Sequence, residues 1–330
     1  MSYLLTNRSK KKKLFNYFND KSILITGASG LVGSNIIEFF DSMITQGASL
    51  SLFSTSRGIS ESLFVSSNAK NYKLDLNKDN FEDLLPKFDI IFHCAGYGQP
   101  LKFLKDQFST ISLNTSVLLK LIHCLDKNGK IIYLSSSEVY SGFTGEYPNE
   151  KDIGNSTPED TRACYIEAKR CGETIINTLN NSMKSGVSIR LALAYGPGTQ
   201  HDDERVLNQF IKSSIKNNNI SLLDKGRSIR RYVFIEDAIE MIVNIASSGV
   251  EQVYNVGGKE RVSILELAKT IQNITGCSVT IPNKSNGLVG APENVGLDIS
   301  RYQNEFGDMD FKSLKEGLKL TIDSYKKILT

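Results

Sequence analysis

Short apolar runs alternate with longer segments of helical spacing over the first two thirds of the chain. Residues 22–26 (SILIT) form a compact apolar run that predicts a buried strand, and residues 31–44 repeat apolar positions at helical spacing. Further strands are predicted at residues 49–53, 90–94, 130–134 and 187–192. This alternation predicts an α/β fold, a doubly wound parallel sheet with helices on both faces.

The pattern changes near Tyr195, where a Gly-Pro-Gly break and a polar stretch follow. A later helix is predicted to begin near Ile264, because Ser263 and Glu266 have the spacing of a capping box. A smaller α/β lobe that closes over a ligand fits this second part, since open α/β sheets bind ligands beyond the carboxyl ends of their strands.

We therefore expect three parts in the chain. Residues 1–20 are an N-terminal arm, residues 21–194 form the larger domain, and residues 195–330 form the smaller lobe, with the chain crossing back near residues 230–260.

A glycine-rich loop follows the first predicted strand directly. Its glycines have GxxGxxG spacing, which permits a tight turn and lets backbone amides approach a pyrophosphate at the start of the next helix. Glycine-rich turns also occur for packing alone, but the strand–glycine–helix order favours a dinucleotide in the larger domain. The residues predicted to bind it here are Gly27, Ser29, Gly30, Leu31, Val32 and Gly33.

The end of the second predicted strand leaves the choice between NAD and NADP open. NAD enzymes commonly place an acid there to hold the ribose 2′-hydroxyl, but this segment reads Phe-Ser-Thr-Ser-Arg and ends on Arg57. Arg57 is suited to a 2′-phosphate, or is simply solvated. Asp75 and Leu76, after the third strand, are predicted to lie near the adenine.

A candidate catalytic group comes from three spaced residues. Tyr165 and Lys169 are four apart in a helical segment and therefore share one face. An ammonium and a positively charged nicotinamide ring would lower the pKa of the tyrosine toward that of a general base. Such a pair is common by chance, but here it follows a serine run, which includes Ser136, at the carboxyl end of a predicted strand.

Composition and charge exclude other classes of function. The net charge of +3 is too small to indicate a nucleic-acid partner, and the basic run at residues 10–13 is interpreted as a solvated arm. No apolar run is long enough to span a bilayer. Five scattered cysteines and three isolated histidines indicate neither a disulfide framework nor a metal site. These features predict a cytoplasmic protein.

The sequence resembles the extended short-chain dehydrogenases/reductases that act on nucleotide sugars. The resemblance covers about residues 22–306 and rests on TGASGLVGS, HCAG, SSSEVYSG, YIEAK, AYGPG and RRYVFIEDA. It implies a Rossmann domain, a nicotinamide cofactor (NAD, with NADP not excluded), a nucleoside-diphosphate sugar as substrate and a homodimer.

The resemblance also implies roles for individual residues. Ser136 matches the residue that hydrogen-bonds the reacting hydroxyl, Tyr165 the base, Lys169 the residue that holds the nicotinamide ribose, and Arg230 an arginine that meets the diphosphate. The further cofactor-binding residues expected are Cys94, Ala95, Gly96 and Asn114. Those expected to bind substrate are Gln99, Ser137, Arg205, Arg230 and Asp298.

Departures from the patterns of known subfamilies bear on the reaction. The 4,6-dehydratases have Thr-Asp-Glu where this chain has Ser136, Ser137 and Glu138, so the acid for water elimination is missing. UDP-glucuronate decarboxylases have Thr-Ser-Glu there and share RACY at residues 162–165, but their Arg-Lys-Pro-Asp stretch is absent from residues 294–298. Glu138 is a candidate for removing the C5 proton.

The sequence thus predicts oxidation at C4 by hydride transfer, giving a 4-keto sugar that is released or re-reduced. Decarboxylation of a uronate, 4,6-dehydration and a regulatory dinucleotide-binding role are the alternatives.

Overall fold

A computed structural model describes residues 8–58, 66, 68–283 and 296–329 of the chain. Its centre is a seven-stranded sheet in the order β10-β6-β5-β4-β1-β2-β3, with every neighbouring pair parallel. These strands are β1 (Ser22–Thr26), β2 (Ser51–Ser56), β3 (Ala69–Lys73), β4 (Phe88–His93), β5 (Leu125–Ser136), β6 (Ser185–Leu191) and β10 (Val253–Val256). The sheet confirms the predicted doubly wound α/β fold.

Helices cover both faces of the sheet, and several more belong to the second half of the chain. In chain order they are α1 (Arg8–Phe18), α2 (Leu31–Thr45), α3 (Pro100–Lys105), α4 (Gln107–Asn114), α5 (Ser116–His123), a 3-10 helix (Ser137–Tyr140), α6 (Ala163–Leu179), α7 (Val206–Lys216), α8 (Ile235–Ser248), α9 (Ile264–Thr275), α10 (Ser300–Phe306) and α11 (Leu314–Leu329). No helix in the described ranges is long and apolar enough to cross a bilayer.

Strand β1 shows why both faces of the sheet are covered. Its side chains point alternately to opposite faces, so Ile23 and Ile25 belong to one apolar core and Leu24 to another. The first core includes residues of α1, α2 and α8, and the second includes residues of α4, α5 and α6. A strand that is buried on both sides must be apolar throughout, which is the pattern the sequence has at residues 22–26.

Two small sheets belong mainly to the second half of the chain. One has the order β11-β9-β7, from β7 (Leu193–Tyr195), β9 (Ile229–Phe234) and β11 (Arg261–Ser263), and the other pairs β8 (Asn219–Ser221) with β12 (Ser278–Thr280). Between β9 and β11 the chain returns to the main sheet, where β10 pairs with β6. The division into domains stays a prediction.

Two strands extend beyond the apolar runs that predicted them. Strand β2 runs to Ser56, and Ser54 and Thr55 are both buried within it. Strand β5 likewise includes Ser135 and Ser136. Backbone pairing with β1 and β6 holds these polar residues in the sheet, so the hydrophobic pattern places the strand ends too early. The predicted helix start is confirmed, because Ser263 and Glu266 form the complete capping box before α9.

Candidate active site

The glycine loop joins β1 to α2 at the carboxyl edge of the sheet. Gly27 has a φ of 67°, and a Cβ there would come within 2.7 Å of the backbone of Ala95, at the end of β4. A Cβ on Gly33 would overlap the carbonyl oxygen of Gly27. Gly27 therefore lets the loop approach the segment after β4, and Gly33 lets the first turn of α2 pack directly against the loop.

The loop presents backbone amides to a ligand. Gly30 is the N-cap of α2 and has no side chain to accept a hydrogen bond from the first turn, to which Leu31 and Val32 belong. Nearby, Gln200 donates from Nε2 to the carbonyl oxygen of Ser29 at 2.8 Å, so residues after β7 close over the loop. An uncapped helix N-terminus behind a glycine cradle fits the pyrophosphate of a dinucleotide.

The second part of the cofactor cleft lies after β4. Thr26 is hydrogen-bonded to Nδ1 of His93 at 2.8 Å, while Nε2 of His93 donates to the carbonyl of Leu113. Burial lowers the pKa of His93 to about 4, so the ring is neutral. The backbone amide of Ala95 also donates to Thr26. These bonds fix the segment containing Cys94, Ala95 and Gly96 beside the glycine loop.

Asn114 and Lys169 meet around Tyr133, below this segment. The side-chain oxygen of Asn114 accepts from the Tyr133 hydroxyl at 2.8 Å, and Lys169 lies over the Tyr133 ring with Nζ 5.0 Å from its centroid. Lys169 donates to the carbonyl oxygen of Leu134 at 2.5 Å. A Cβ on Gly96 would lie 3.8 Å from that ammonium, so Lys169 reaches the cleft after β4.

Tyr165 lies next to Lys169 on the buried face of α6. Its hydroxyl is hydrogen-bonded to Ser136, at the end of β5, and Nζ of Lys169 is 5.6 Å from the centre of its ring. Ser136 in turn accepts from the backbone amide of Glu138 at 3.2 Å, which caps the 3-10 helix. The predicted trio of Ser136, Tyr165 and Lys169 is therefore brought together.

Burial dominates the protonation of this group. It raises the pKa of Tyr165 to about 12, against the lowering effect of the Ser136 hydrogen bond, and it lowers the pKa of Lys169 to about 8. The chain alone thus favours a neutral tyrosine. Bringing such a pKa to neutrality takes about 7 kcal/mol of preferential stabilisation of the phenolate. The sequence-based expectation of a lowered pKa therefore requires further positive charge from a bound partner.

Two side chains at this centre are not among the site residues that the sequence predicts. Phe103 of α3 stacks on Tyr165 with ring centroids 4.7 Å apart and planes at 12°. Arg162 lies over the Phe103 ring at 5.5 Å and donates to Glu138 at 2.8 Å. Arg162 begins the RACY stretch, three residues before Tyr165, so the sequence indicates its place near the site. Nothing in the sequence around Phe103 connects that residue with Tyr165.

The residues predicted to bind substrate fall into two groups. Arg230 and Arg205 belong to the first, because the charge of Arg230 acts on Glu138 and that of Arg205 on Tyr165. Arg205 also forms an ion pair with Asp203 at 2.6 Å. Gln99 accepts from the amide of Glu204 at 3.3 Å, which ties the loop after β4 to the loop before α7. Ser137, half-buried, opens the 3-10 helix.

Asp298 is placed elsewhere. Its carboxylate accepts from the amide and hydroxyl of Ser300 at the start of α10. Together with Tyr147, Arg231 and others it lines a separate cleft of about 290 Å³. Nearby residues 294 and 295, from the stretch compared with the decarboxylases, lie outside the described residues. The substrate-binding role of Asp298 stays a prediction.

The remaining cofactor candidates lie at the ends of β2 and β3. Arg57 follows β2 and donates to the hydroxyl of Tyr97 at 2.9 Å. Asp75 follows β3 and lies 3.9 Å from the ammonium of Lys78, while Leu76 is buried. Across the described ranges, no group of three or more His, Cys, Asp or Glu side chains is placed to hold a metal, and the five cysteines are free.

Curated relatives include several enzymes that act on nucleotide sugars. UDP-glucuronic acid decarboxylase 1 of Xenopus tropicalis is 27% identical over 331 residues, covering 98% of this chain and 76% of the relative. dTDP-4-dehydro-6-deoxy-D-allose reductase of a Streptomyces species is also 27% identical, covering 93% of this chain and 96% of the relative.

Solved structures share the fold. UDP-glucuronic acid 4-epimerase of Bacillus cereus, in complex with UDP-glucuronic acid and NAD, superposes with a TM-score of 0.78 at 23% identity, covering 93% of this chain and 99% of that one. The model of the NAD dependent epimerase/dehydratase family matches residues 23–257. These matches confirm the resemblance drawn from the motifs, and the glycine cradle fits the cofactor for which the family is named. The chain belongs to the NAD dependent epimerase/dehydratase family.

Proposed function

We infer that the protein oxidises C4 of a nucleoside-diphosphate sugar and then releases the 4-keto sugar or reduces it again, as a C4 dehydrogenase or epimerase. The observation that carries this proposal is the hydrogen bond between Tyr165 and Ser136, with the Lys169 ammonium beside the tyrosine ring. The chemistry that NAD supplies in such a site is acceptance of hydride from a carbon bearing a hydroxyl group.

In this proposal Ser136 and Tyr165 act on one sugar hydroxyl. Ser136 positions the hydroxyl by a hydrogen bond, and Tyr165 takes its proton as general base. Lys169 stabilises the phenolate by its charge and is held in place by the carbonyl of Leu134. Because burial lowers the pKa of Lys169 to about 8, we expect this support to weaken as the pH rises above that value.

The residues beside Tyr165 support release or re-reduction of the ketone. A 4,6-dehydration needs a general acid at the position of Ser137, whose hydroxyl is too weak an acid for that role. Glu138 is the carboxylate next to it, and its oxygen is engaged by Arg162 at 2.8 Å. A neutral sugar would therefore keep its C6 oxygen after oxidation at C4.

A second candidate, decarboxylation of a uronate, is favoured by one feature of the site. Arg162 forms an ion pair with Glu138 at 2.8 Å, and Arg230 interacts electrostatically with the same carboxylate and with Asp224, so the positive charge there is more than Glu138 alone balances. Such an excess of positive charge suits a second carboxylate on the substrate. A uronate oxidised at C4 is a β-keto acid, which loses carbon dioxide without a general acid at Ser137.

The proposal includes a homodimer as the working form. Phe108 and Ile111 on α4 and Leu119 on α5 are exposed apolar side chains, with Phe108 88% exposed, and α4 packs against α6. Apolar side chains exposed together on neighbouring helices support a partner surface for a second copy. The cytoplasmic location predicted from composition stays a prediction.

A panel of nucleotide sugars tests the reaction. Neutral and uronic UDP-, GDP-, CDP- and dTDP-sugars would be incubated with enzyme and NAD, and reduced nicotinamide absorbance and product mass followed. A product of unchanged mass but inverted C4, or a 4-keto sugar, supports the first candidate, and loss of carbon dioxide from a uronate the second. Loss of water from a hexose contradicts both.

The control is Tyr165→Phe, which keeps the stacked ring and removes the ionisable hydroxyl. We expect NAD binding to survive and turnover to fall by about 10² to 10⁴-fold. Absence of turnover by the wild-type enzyme on every sugar, with NAD bound, would instead support the regulatory alternative.

A further inference from the structure

Phe103 is the buried side chain of the short helix α3, and its ring is only 1% exposed. In the part of the chain that the structure describes, neither of the two apolar cores includes Phe103 or Tyr165. Helix α3 follows the cofactor cleft after β4 and packs on α4 and α6. The burial of Phe103 therefore comes from its contacts with the catalytic helix and α4, and the ring is not part of either core.

The stack on Tyr165 fixes an orientation that the tyrosine alone leaves open. The two rings are almost parallel, with planes at 12° and centroids 4.7 Å apart, which is an offset-stacked arrangement. Rotation of a tyrosine ring about its Cβ–Cγ bond is soft, and conjugation keeps the phenol O–H in the ring plane. A ring stacked on Tyr165 therefore sets the plane in which the tyrosine hydroxyl makes its hydrogen bonds.

The contacts that start at Phe103 return to Tyr165. The Arg162 guanidinium lies over the Phe103 ring at 5.5 Å and donates to the Glu138 carboxylate at 2.8 Å. The amide of Glu138 donates to the hydroxyl of Ser136 at 3.2 Å, and Ser136 is hydrogen-bonded to Tyr165. This closed circuit holds Tyr165 at both its ring and its hydroxyl, and Phe103 is the member that holds the ring.

Helix α3 is itself held in place from the opposite side of the cleft. Gln99, its N-cap, accepts from the amide of Glu204 at 3.3 Å, and Lys102 forms an ion pair with Asp202 at 2.9 Å. Both partners belong to the loop before α7. Because these contacts flank Phe103 in the chain, the ring is presented to α6 from a helix that is fixed at its start and in its middle.

We propose that Phe103 is a positioning residue for the general base: its stacked ring holds the Tyr165 phenol in the plane from which the hydroxyl meets Ser136 and the sugar hydroxyl. This inference rests on the proposed function, in which Tyr165 is that base. Phe103 has no side-chain atom that exchanges a proton, so it acts on the reaction only through Tyr165.

The test measures kcat and KM of full-length Phe103→Leu with NAD and with those nucleotide sugars of the panel that the wild type turns over. We expect kcat to fall by about tenfold to a hundredfold, because a small displacement of a catalytic group costs that much in rate. KM and the dissociation constant of NAD should stay within twofold. Placed on Tyr165→Phe, the same substitution should change kcat by less than twofold, because the hydroxyl that Phe103 positions is already absent.

Phe81→Leu is the matched control, because Phe81 is another fully buried phenylalanine beneath an ammonium, that of Lys120 at 5.9 Å, and it belongs to the second apolar core. It should lower the Tm and leave kcat within twofold. Phe103→Met, which fills similar space with a flexible apolar chain, replaces Phe103→Leu if that variant does not fold.

Two kinetic results would overturn the inference. One is wild-type kcat in a folded Phe103 variant, and the other is an equal loss of kcat with and without the Tyr165 hydroxyl, since Phe103 would then serve the fold. Unchanged turnover in Tyr165→Phe alone contradicts the proposed function instead.

A crystal structure of the Phe103 variant with NAD tests the same point without a sugar. We expect the Tyr165 hydroxyl to lie beyond hydrogen-bond distance of Ser136 or to be disordered. An unchanged Tyr165 ring plane and an intact hydrogen bond would overturn the inference, whichever sugar is the substrate.

Discussion

The predicted cofactor side and the predicted substrate side of the site differ in the chemical groups that form them. On the cofactor side, close backbone contacts at Gly27 and Gly33 and neutral buried groups such as His93 shape the cleft. On the substrate side, charged side chains form the surface, with Arg162 paired to Glu138 at 2.8 Å and Arg205 to Asp203 at 2.6 Å.

From this difference we expect the charged side chains, and not the glycine loop, to determine substrate specificity. Backbone amides at a helix N-terminus bind any pyrophosphate, because all dinucleotides share the shape and negative charge of that group. Paired side chains on loops distinguish substrates by charge and shape, and they change without disturbing the sheet. The matched relatives are named for different nucleotide sugars, as expected if side chains on loops set substrate specificity.

The largest effect is expected from one methyl group on the cofactor side. Gly33→Ala places a Cβ on the carbonyl oxygen of Gly27, so the loop must move away from the helix. Overpacking of this kind costs about 1–3 kcal/mol, and we expect NAD affinity to fall by up to about a hundredfold. Isothermal titration calorimetry with NAD measures the dissociation constant of the variant and of the wild type.

The same methyl at Gly30 is the control for that experiment. A Cβ there would meet the Gly27 oxygen at 3.3 Å, which a small shift relieves, so Gly30→Ala should lose less affinity. Wild-type NAD affinity in Gly33→Ala would show that the loop does not depend on this contact. It would contradict the view that close backbone contacts shape the cofactor side.

A smaller effect is expected on the substrate side from Arg230→Gln. The arginine acts on the region of Glu138, and hydrogen bonds to charged groups contribute about 1.5–3 kcal/mol. We expect KM for the nucleotide sugar to rise by about 10 to 100-fold while NAD affinity stays within twofold. Steady-state kinetics and NAD titration together measure this division.

Arg227→Gln, three residues earlier and exposed, is the control and should leave KM unchanged. If Arg230→Gln weakened NAD as much as sugar, the two sides would not be separable in the way that the geometry indicates.

The last prediction concerns the pH dependence of stability and not ligand binding, and its subject is Asp237 on α8. Its carboxylate accepts from the amide of Lys312 at 3.0 Å, and burial raises its pKa to about 7. The folded protein thus keeps this proton to higher pH than the unfolded chain, so the stability it contributes is complete below pH 4 and is lost as pH rises through about 7. The loss is at most about 4 kcal/mol.

Asp237→Asn removes this titration. We expect the Tm of the wild type to fall by several degrees more than that of the variant between pH 5 and pH 8, as measured by circular dichroism. Asp126→Asn, at an exposed position, is the control and should follow the wild type. A parallel pH dependence in wild type and Asp237→Asn would show that the carboxyl group is already ionised at pH 5.

Much of the predicted cofactor side follows from the sequence, because interactions between residues close together in the chain determine it. The apolar run at residues 22–26, the glycine spacing and the four-residue separation of Tyr165 and Lys169 each predict a local feature that the structure contains. The hydrophobic pattern does not predict the polar end of β2, because backbone pairing with β1 holds Ser54 and Thr55 in the sheet.

The contacts between segments distant in sequence depend on the folded chain. Phe103 meets Tyr165 because α3 packs on α6, Arg57 meets Tyr97 across the end of β1, and the Asp298 carboxylate accepts from the amide of Ser300 at the start of α10. The fold class, the glycine-rich turn and the shared helix face of Tyr165 and Lys169 follow from the sequence alone, since hydrophobic period and glycine sterics act over a few residues, and the catalytic roles stay a prediction. Burial, and with it the pKa of Tyr165, depends on every segment that packs around the side chain, so it exists only in the folded protein.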